Sequence, residues 1–264
     1  MSKNSPIGIF DSGIGGLTVA RAVKDLLPEE QIIYFGDTLH LPYGEKSPES
    51  IRKYSTNITS FLKEKNCKAV LIACNSASSV AFETTKSNLS QNTIVLNVID
   101  PLVEYVKTKF EDRTVGVIGT KATINSNIYQ DKLGSHCTVK ALSTPLLAPM
   151  IEEGFIDNKI SSTVIEEYLK NNELSNIEAL LLGCTHYPII HKEIEAIYSN
   201  LVEVLDSNIW IAKALNEELE KNGLCSEKLA APDEFYVSDK TASFEKSTQY
   251  FFGKQISLTE LKLD

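Results

Sequence analysis

The sequence predicts an α/β protein of two similar domains, each a mainly parallel sheet flanked by helices. Two observations predict this fold class. Short apolar segments alternate with longer amphipathic segments along almost the whole chain, and the first half of this alternation resembles the second. Strands that alternate with helices form βαβ units, and such units build parallel sheets.

The strand predictions depend on short apolar runs bounded by polar turns, which are typical of strands buried on both faces of a sheet. In chain order these runs are 7–10, 32–35, 69–73, 94–98, 115–118, 179–182 and 202–205. Between them apolar residues recur at helical spacing, as at Ile51, Ile58 and Phe61, and again at Ile190 and Ile194.

The two halves share a pattern. The segment IGIFDS at 7–12 resembles VGVIGT at 115–120, at an offset of 108 to 109 positions. Cys74 and Cys184 each follow an apolar run directly, and they lie 110 positions apart. Groups just past the carboxyl end of a parallel strand line the ligand crevice of such sheets. Two duplicated domains that face each other would therefore place the two thiols on opposite walls of one cleft, an arrangement suited to two matched proton carriers.

Composition excludes several classes of function. Of 264 residues, 42% are apolar and 23% charged, as in an ordinary globular protein, and the net charge of −9 argues against direct nucleic-acid binding. No segment is apolar and long enough for a signal peptide or a membrane span. The five cysteines are odd in number and include no CxxC pair, which favours free thiols and a cytoplasmic location.

Cys74 is followed by small polar residues that predict a helix, with Asn75 or Ser76 as its cap. A thiol at a helix N-terminus is expected to have its pKa lowered from about 8.5 toward neutrality. An isolated cysteine is more often an ordinary buried residue, and here the pairing with Cys184 indicates chemistry. The sequence gives Cys67, Cys137 and Cys225 no such neighbourhood, and we interpret them as structural.

Cys184 has a proton-exchanging neighbour, since His186 lies two positions further on. Pro188 fits the first turn of a following helix. His40, His136 and His191 are interpreted as structural histidines.

A glycine-rich segment, FDSGIGGLT at 10–18, follows the first strand and opens a helix. It differs from the dinucleotide pattern GxGxxG because Thr18 occupies the place of the third glycine. Its glycines permit a tight turn. Local sequence leaves two interpretations of Asp11 open: a helix cap, or a carboxylate that binds a substrate ammonium group.

Four motifs taken together resemble the glutamate racemases, in that family's order and spacing and over nearly the whole chain. They are DSGIGGL at 11–17, PYG at 42–44, CNSA at 74–77 and GCTHYP at 183–188. Many members of the family have threonine where this chain has Ser76, and either hydroxyl can hydrogen-bond a carboxylate.

The resemblance implies a cofactor-independent and metal-free enzyme that interconverts L- and D-glutamate and supplies the D-isomer for peptidoglycan. It implies that Cys74 and Cys184 act as acid and base on opposite faces of the α-carbon, on the D- and L-isomer respectively. Asp11 and His186 would assist them, with Glu152 as a supporting carboxylate. The substrate-binding positions implied are Asp11, Ser12, Pro42, Tyr43, Gly44, Asn75, Ser76, Thr120, Thr123, Thr185 and His186.

The resemblance also implies a division of the chain. The first domain would comprise residues 1–97 together with 207–264, and the second would comprise 98–206. Members of the family commonly form dimers, so a homodimer is expected.

Three alternatives remain at this stage. An aspartate or hydantoin racemase would use the same two cysteines on another substrate. A redox or metal site would combine Cys74, Cys184 and His186, although zinc usually has four ligands at closer paired spacings. Some glutamate racemases inhibit DNA gyrase, and no motif in this chain reports on that role.

Overall fold

The computed structural model describes residues 1–263, in which ten strands and eleven α-helices alternate. The strands are β1 (Ile7–Asp11), β2 (Ile32–Gly36), β3 (Ala69–Ile72), β4 (Ile94–Asn97), β5 (Thr114–Gly119), β6 (Thr138–Ser143), β7 (Ala179–Gly183), β8 (Glu203–Leu205), β9 (Glu234–Val237) and β10 (Thr259–Glu260). The helices are α1 (Leu17–Leu26), α2 (Pro48–Glu64), α3 (Asn75–Asn88), α4 (Ile99–Lys109), α5 (Lys121–Asn125), α6 (Ile128–Leu133), α7 (Leu147–Glu152), α8 (Lys159–Leu169), α9 (His191–Ile197), α10 (Asn208–Lys221) and α11 (Ala242–Phe252). Short 3-10 helices span Tyr43–Glu45, Asn172–Leu174 and Tyr187–Ile190.

The strands form two parallel sheets, which confirms the predicted fold class. The first sheet has the order β10-β9-β2-β1-β3-β4 and the second the order β6-β5-β7-β8. Each sheet contains the same four-strand arrangement, in which the first strand of the half lies between its second and third. The internal similarity seen in the sequence is therefore a similarity of topology.

Strand pairing brings the loops of interest together. β1 and β3 are neighbours, with Phe10 opposite Ile72, so the loops after Asp11 and before Cys74 leave the sheet side by side. In the second sheet β5 and β7 are neighbours, with Gly119 opposite Gly183. All four strands are fully buried apart from the first residue of β5. Burial on both faces explains why their sequences are continuous apolar runs.

One apolar core extends through both halves. Ile7 and Ile9 of β1 belong to the same cluster of buried side chains as Val115 and Val117 of β5. Phe10 faces a second cluster on the other side of the first sheet. Because packed interiors deform little, the shared core holds the two sets of strand ends in a fixed relation.

The seven predicted strands are present, with ends that shift by one residue at most positions, and three strands were missed. β6, β9 and β10 are half-buried or exposed along most of their length. The apolar residues of β6 are interrupted by Lys140, β9 has three apolar residues and β10 has none. β9 and β10 join the first sheet beside β2, although they lie near the end of the chain. The domain boundaries given above stay a prediction.

No helix within residues 1–263 combines the length and the apolar composition that crossing a membrane requires.

Candidate active site

A cavity of about 270 Å³ lies between the two halves, at the carboxyl ends of the central strands. It brings together most of the residues that the sequence singled out. Those that line it are Ser12, Pro42, Tyr43, Gly44, Cys74, Asn75, Ser76, Thr120, Glu152, Cys184, Thr185 and His186. Asp11 and Thr123 lie behind the wall. Gly13 of the glycine-rich motif also lines the cavity, together with Leu41, Ala148 and Pro149, which were not among the predicted site residues.

Cys74 lies at the junction of β3 and α3 and is itself the N-cap of the helix, so the predicted cap at Asn75 or Ser76 is wrong. Its Sγ accepts a hydrogen bond from the Ala77 backbone N–H at 3.4 Å and donates to Ser12 Oγ at 3.6 Å. Burial, followed by the charge of Asp11, raises the pKa of the Cys74 thiol to about 12. The expected lowering of this pKa is therefore wrong: loss of solvation outweighs the effect of the helix N-terminus.

Cys184 follows β7 and has a closely placed base. His186 Nδ1 lies 3.6 Å from Cys184 Sγ, and His186 Nε2 lies 2.8 Å from Glu152 Oε1. Burial lowers the pKa of His186, but hydrogen bonds to Cys184 and Glu152 outweigh it and raise that pKa well above its ordinary value. Pro188 lies in a 3-10 helix that leads into α9. The His186 imidazole therefore connects the Glu152 carboxylate to the Cys184 thiol.

Asp11, at the end of β1, is fully buried and does not line the cavity. Its Oδ2 accepts a hydrogen bond from the Gly13 N–H at 3.0 Å, and its Oδ1 accepts one from Thr185 Oγ1 at 3.4 Å. Burial raises the pKa of the Asp11 carboxyl, against the effect of the nearby His186. Asp11 therefore shapes its own loop and also contacts the loop of the second half.

Three hydroxyl groups meet across the cleft. Ser76 Oγ lies 2.8 Å from Thr120 Oγ1 and 3.4 Å from Thr123 Oγ1. Thr120 also caps α5 by accepting a hydrogen bond from the Thr123 N–H at 3.2 Å. Hydroxyls donate and accept, so this cluster is suited to a carboxylate or another polar ligand group.

Tyr43 is held from outside the cavity by a residue that sequence reasoning missed. Its hydroxyl donates to Asp37 Oδ2 at 2.6 Å, and Ser238 Oγ donates to Asp37 Oδ1 at 2.8 Å. His40 Nδ1 lies 2.9 Å from the same carboxylate, as expected of a structural histidine. Asp37 immediately follows β2, just as Asp11 ends β1. This position at the carboxyl end of a strand is the signal from which Asp37 could have been predicted.

Asn75 is oriented by a second residue that the sequence did not reveal. Its Nδ2 donates a hydrogen bond to the hydroxyl of Tyr129, on α6, at 3.1 Å. Its Oδ1 is buried and has no hydrogen-bond partner within residues 1–263. An unpaired buried acceptor beside a cavity is available to a ligand donor.

The described residues do not favour the alternative chemistries. Residues 1–263 contain no group of three or more His, Cys, Asp and Glu side chains placed to hold a metal ion. All five cysteines of the chain are unpaired.

Comparison with known protein families agrees with the geometry of the site. The family model described as Asp/Glu/Hydantoin racemase matches residues 17–215. The chain belongs to this family. Among its curated members, the glutamate racemases of Chlorobaculum parvum and Chlorobaculum tepidum are 39% and 40% identical to it, each over 99% of this chain and 97% of the relative.

Solved structures of family members have the same fold. A crystal structure of glutamate racemase from Francisella tularensis in complex with D-glutamate superposes with a TM-score of 0.92 and 38% identity, over 99% of each chain. An aspartate racemase from Picrophilus torridus shares only the fold, with a TM-score of 0.58 and 21% identity over 83% of this chain and 94% of its own. These comparisons confirm the resemblance drawn from the four motifs.

Proposed function

We propose that the protein interconverts L- and D-glutamate without a cofactor, by proton transfer at the α-carbon between the thiols of Cys74 and Cys184. One observation carries the proposal: the two thiols line the same cavity, and each comes from the equivalent strand end of its own half. Two bases on opposite walls can invert a carbon that a single base would return to its starting configuration.

In the proposed mechanism the Cys184 thiolate removes the α-proton of L-glutamate, and the Cys74 thiol delivers a proton to the opposite face. D-glutamate reacts by the reverse path. Each transfer exchanges the roles of the sulfurs, so each form of the enzyme accepts one enantiomer. Because the α-proton is only weakly acidic, close positioning and fixed hydrogen bonds must lower the barrier.

The surroundings of the two sulfurs differ. His186, whose pKa is raised well above its ordinary value, lies 3.6 Å from Cys184 Sγ, while burial and then the charge of Asp11 raise the pKa of Cys74 to about 12. A substrate ammonium group near Asp11 would offset the carboxylate charge and so ease ionisation of Cys74.

Glutamate is the substrate that the relatives favour. The two Chlorobaculum relatives, which match over nearly the whole chain, are glutamate racemases, whereas the aspartate racemase structure shares the fold alone. The D-isomer would supply peptidoglycan synthesis, in the cytoplasm, with no membrane involved. A homodimer is part of the same proposal, and light scattering of the purified protein tests it.

The decisive experiment follows conversion of L- and D-glutamate separately in D2O, without added cofactor. Wild type is compared with Cys74→Ser, Cys184→Ser and the matched control Cys137→Ser. Cys137 is a buried thiol that does not line the cavity between the halves, and its Sγ donates a hydrogen bond to the Leu133 carbonyl at 3.7 Å. We expect deuterium at the α-carbon of the product, full activity in the control, and loss of racemisation in both catalytic variants.

Absence of conversion by folded wild type in both directions would overturn the glutamate assignment, and conversion of aspartate under the same conditions would replace it. Retention of racemisation by either catalytic variant would contradict the two-thiol mechanism.

A further inference from the structure

We infer that Gly15 and Gly16 are positioning residues, each setting the place of one side chain that assists one cysteine: Gly15 that of His186, and Gly16 that of Asp11. The inference rests on the proposed two-thiol reaction and adds to it a division of labour within the glycine motif. The two glycines are adjacent in sequence, yet they face different halves of the site.

Gly15 lies against the second half. A Cβ atom at residue 15 would lie 2.5 Å from Cε1 and Nδ1 of His186 and 2.6 Å from Thr185 Oγ1. The imidazole thus occupies the space that a side chain would need. Nδ1 is the same atom that faces Cys184 Sγ, so displacement of the ring would change its contact with the thiol. Phe251 packs edge-on against the imidazole, with ring centroids 5.3 Å apart.

Gly16 lies against the first half. A Cβ atom at residue 16 would lie 2.5 Å from Asp11 Cβ, 3.0 Å from Asp11 Cγ and 3.0 Å from Ala73 Cβ. Asp11 is the charge that acts on Cys74, and Ala73 directly precedes that cysteine. A methyl group at residue 16 would therefore push directly on the Cys74 side of the site, and it would not meet the His186 imidazole.

Backbone conformation does not explain these glycines. Gly16 has φ −63° and ψ −9°, which alanine adopts readily, and Gly15 is not among the residues with positive φ. The chain does turn at this pair, since the Leu17 N–H donates to the Ile14 carbonyl at 3.1 Å, but the turn does not need glycine. Close approach of the neighbouring side chains is the physical requirement. Added volume in a packed interior displaces whatever it meets.

The test compares Gly15→Ala with Gly16→Ala, so that each variant is the control for the other. The readout is the primary deuterium isotope effect on kcat/KM, measured from α-deuterated L-glutamate and from α-deuterated D-glutamate. Since the two enantiomers are equal in energy, kcat/KM remains the same in both directions for unlabelled substrate. The isotope effects are free to differ, because they report which of the two proton transfers limits the rate.

We expect kcat/KM to fall about 10- to 100-fold in both variants, as for small displacements of catalytic groups. In Gly15→Ala the transfer at Cys184 becomes limiting. The isotope effect then rises for L-glutamate, whose deuteron Cys184 removes, and falls toward unity for D-glutamate. Gly16→Ala should show the opposite pattern. General destabilisation would reduce the active fraction and leave both isotope effects unchanged.

The same sense of change in both variants, or unchanged isotope effects, would overturn the inference. If Gly15→Ala does not fold, Phe251→Ala gives the imidazole room, and Gly15→Ala is examined in that background against Phe251→Ala alone. Identical isotope effects in those two proteins would likewise overturn it.

A second readout keeps this inference separate from the proposed function. The NMR resonances of the His186 ring should shift much more in Gly15→Ala than in Gly16→Ala, whether or not glutamate is the substrate. Equal shifts in the two variants would contradict the assignment of Gly15 to His186, while failure of wild type to exchange an α-proton would contradict only the proposed reaction.

Discussion

The hydroxyl of Tyr129, on α6 of the second half, accepts a hydrogen bond at 3.1 Å from Nδ2 of Asn75, which begins α3 in the first half. Both side chains are almost fully buried. The bond uses the donor side of the amide and leaves Oδ1 without a partner among residues 1–263, beside the cavity. Tyr129 thereby decides which polar atom Asn75 offers to a ligand.

Tyr129→Phe should raise KM for glutamate about fivefold to tenfold and change kcat less. The buried Asn75 amide would lose the hydroxyl that accepts its Nδ2 hydrogen bond, at a cost of about 1–3 kcal/mol, part of which appears in binding. Tyr198→Phe is the matched control, because the Tyr198 hydroxyl is buried and already without a hydrogen-bond partner within residues 1–263. Steady-state kinetics of the two variants measure the difference, and equal KM values would contradict the role given to Tyr129.

Asp11→Asn should lower the pKa of Cys74 from about 12, because the negative charge of Asp11 is, after burial, the main cause of its elevation. Thiolate absorbance in the ultraviolet, titrated with pH, measures this pKa. The contribution of Cys74 is isolated by subtracting the titration of Asp11→Asn/Cys74→Ser. An unchanged or higher pKa would show that the charge of Asp11 does not reach the thiol.

Glu152→Gln should lower the pKa of His186. Burial disfavours the charged ring, and its hydrogen bonds to Cys184 and Glu152 are what raise the pKa above its ordinary value. An NMR titration of the His186 ring, assigned with His186→Gln, measures the change. A pKa equal to that of wild type would indicate that Cys184 alone sustains it.

The contact between His186 and Glu152 also predicts how the stability of the protein depends on pH. A histidine whose pKa is raised on folding stabilises the protein fully below its unfolded pKa of about 6.5, and this stabilisation is lost as pH rises through the folded pKa. The decrease in the free energy of unfolding caused by Glu152→Gln should therefore be largest near pH 6 and become smaller at alkaline pH. Urea unfolding at several pH values checks this, and a loss that grows with pH would contradict it.

Lys68→Met should cost about 3–5 kcal/mol in the free energy of unfolding, since it leaves a buried carboxylate without its cation. Lys68 Nζ is fully buried and lies 2.6 Å from Glu30 Oε2. It also donates to the backbone carbonyls of Lys3 and Leu224. The ion pair thus ties the start of the chain to the segment before β9.

Two further variants control this measurement by urea unfolding. Lys65→Met breaks a pair with Glu234 whose side chains are about one-third exposed, and it should cost about 1 kcal/mol or less. Lys68→Met/Glu30→Leu removes both buried charges and should recover part of the stability. Similar losses in Lys65→Met and Lys68→Met would contradict the weight given to burial.

Much of the site could be predicted from the sequence because the relevant patterns involve residues that are close together in the chain. Cys74 and Cys184 each end a buried strand, and parallel strands bring their carboxyl ends to one edge, so their convergence follows from position. Asp37 and Tyr129 were missed for the opposite reason. Each acts through a hydrogen bond that forms only when the chain folds, and no pattern in the sequence links Tyr129 to Asn75.

Local apolar patterning and the spacing of short motifs were enough to predict the α/β class, the duplicated half and the two cysteines at equivalent strand ends. The electrostatic state of the site depends instead on tertiary contacts: the pKa of Cys74 is raised, whereas its place at a helix N-terminus suggested the reverse. Solvation is lost through side chains contributed by the whole fold, and no neighbouring residue in the sequence reports that loss.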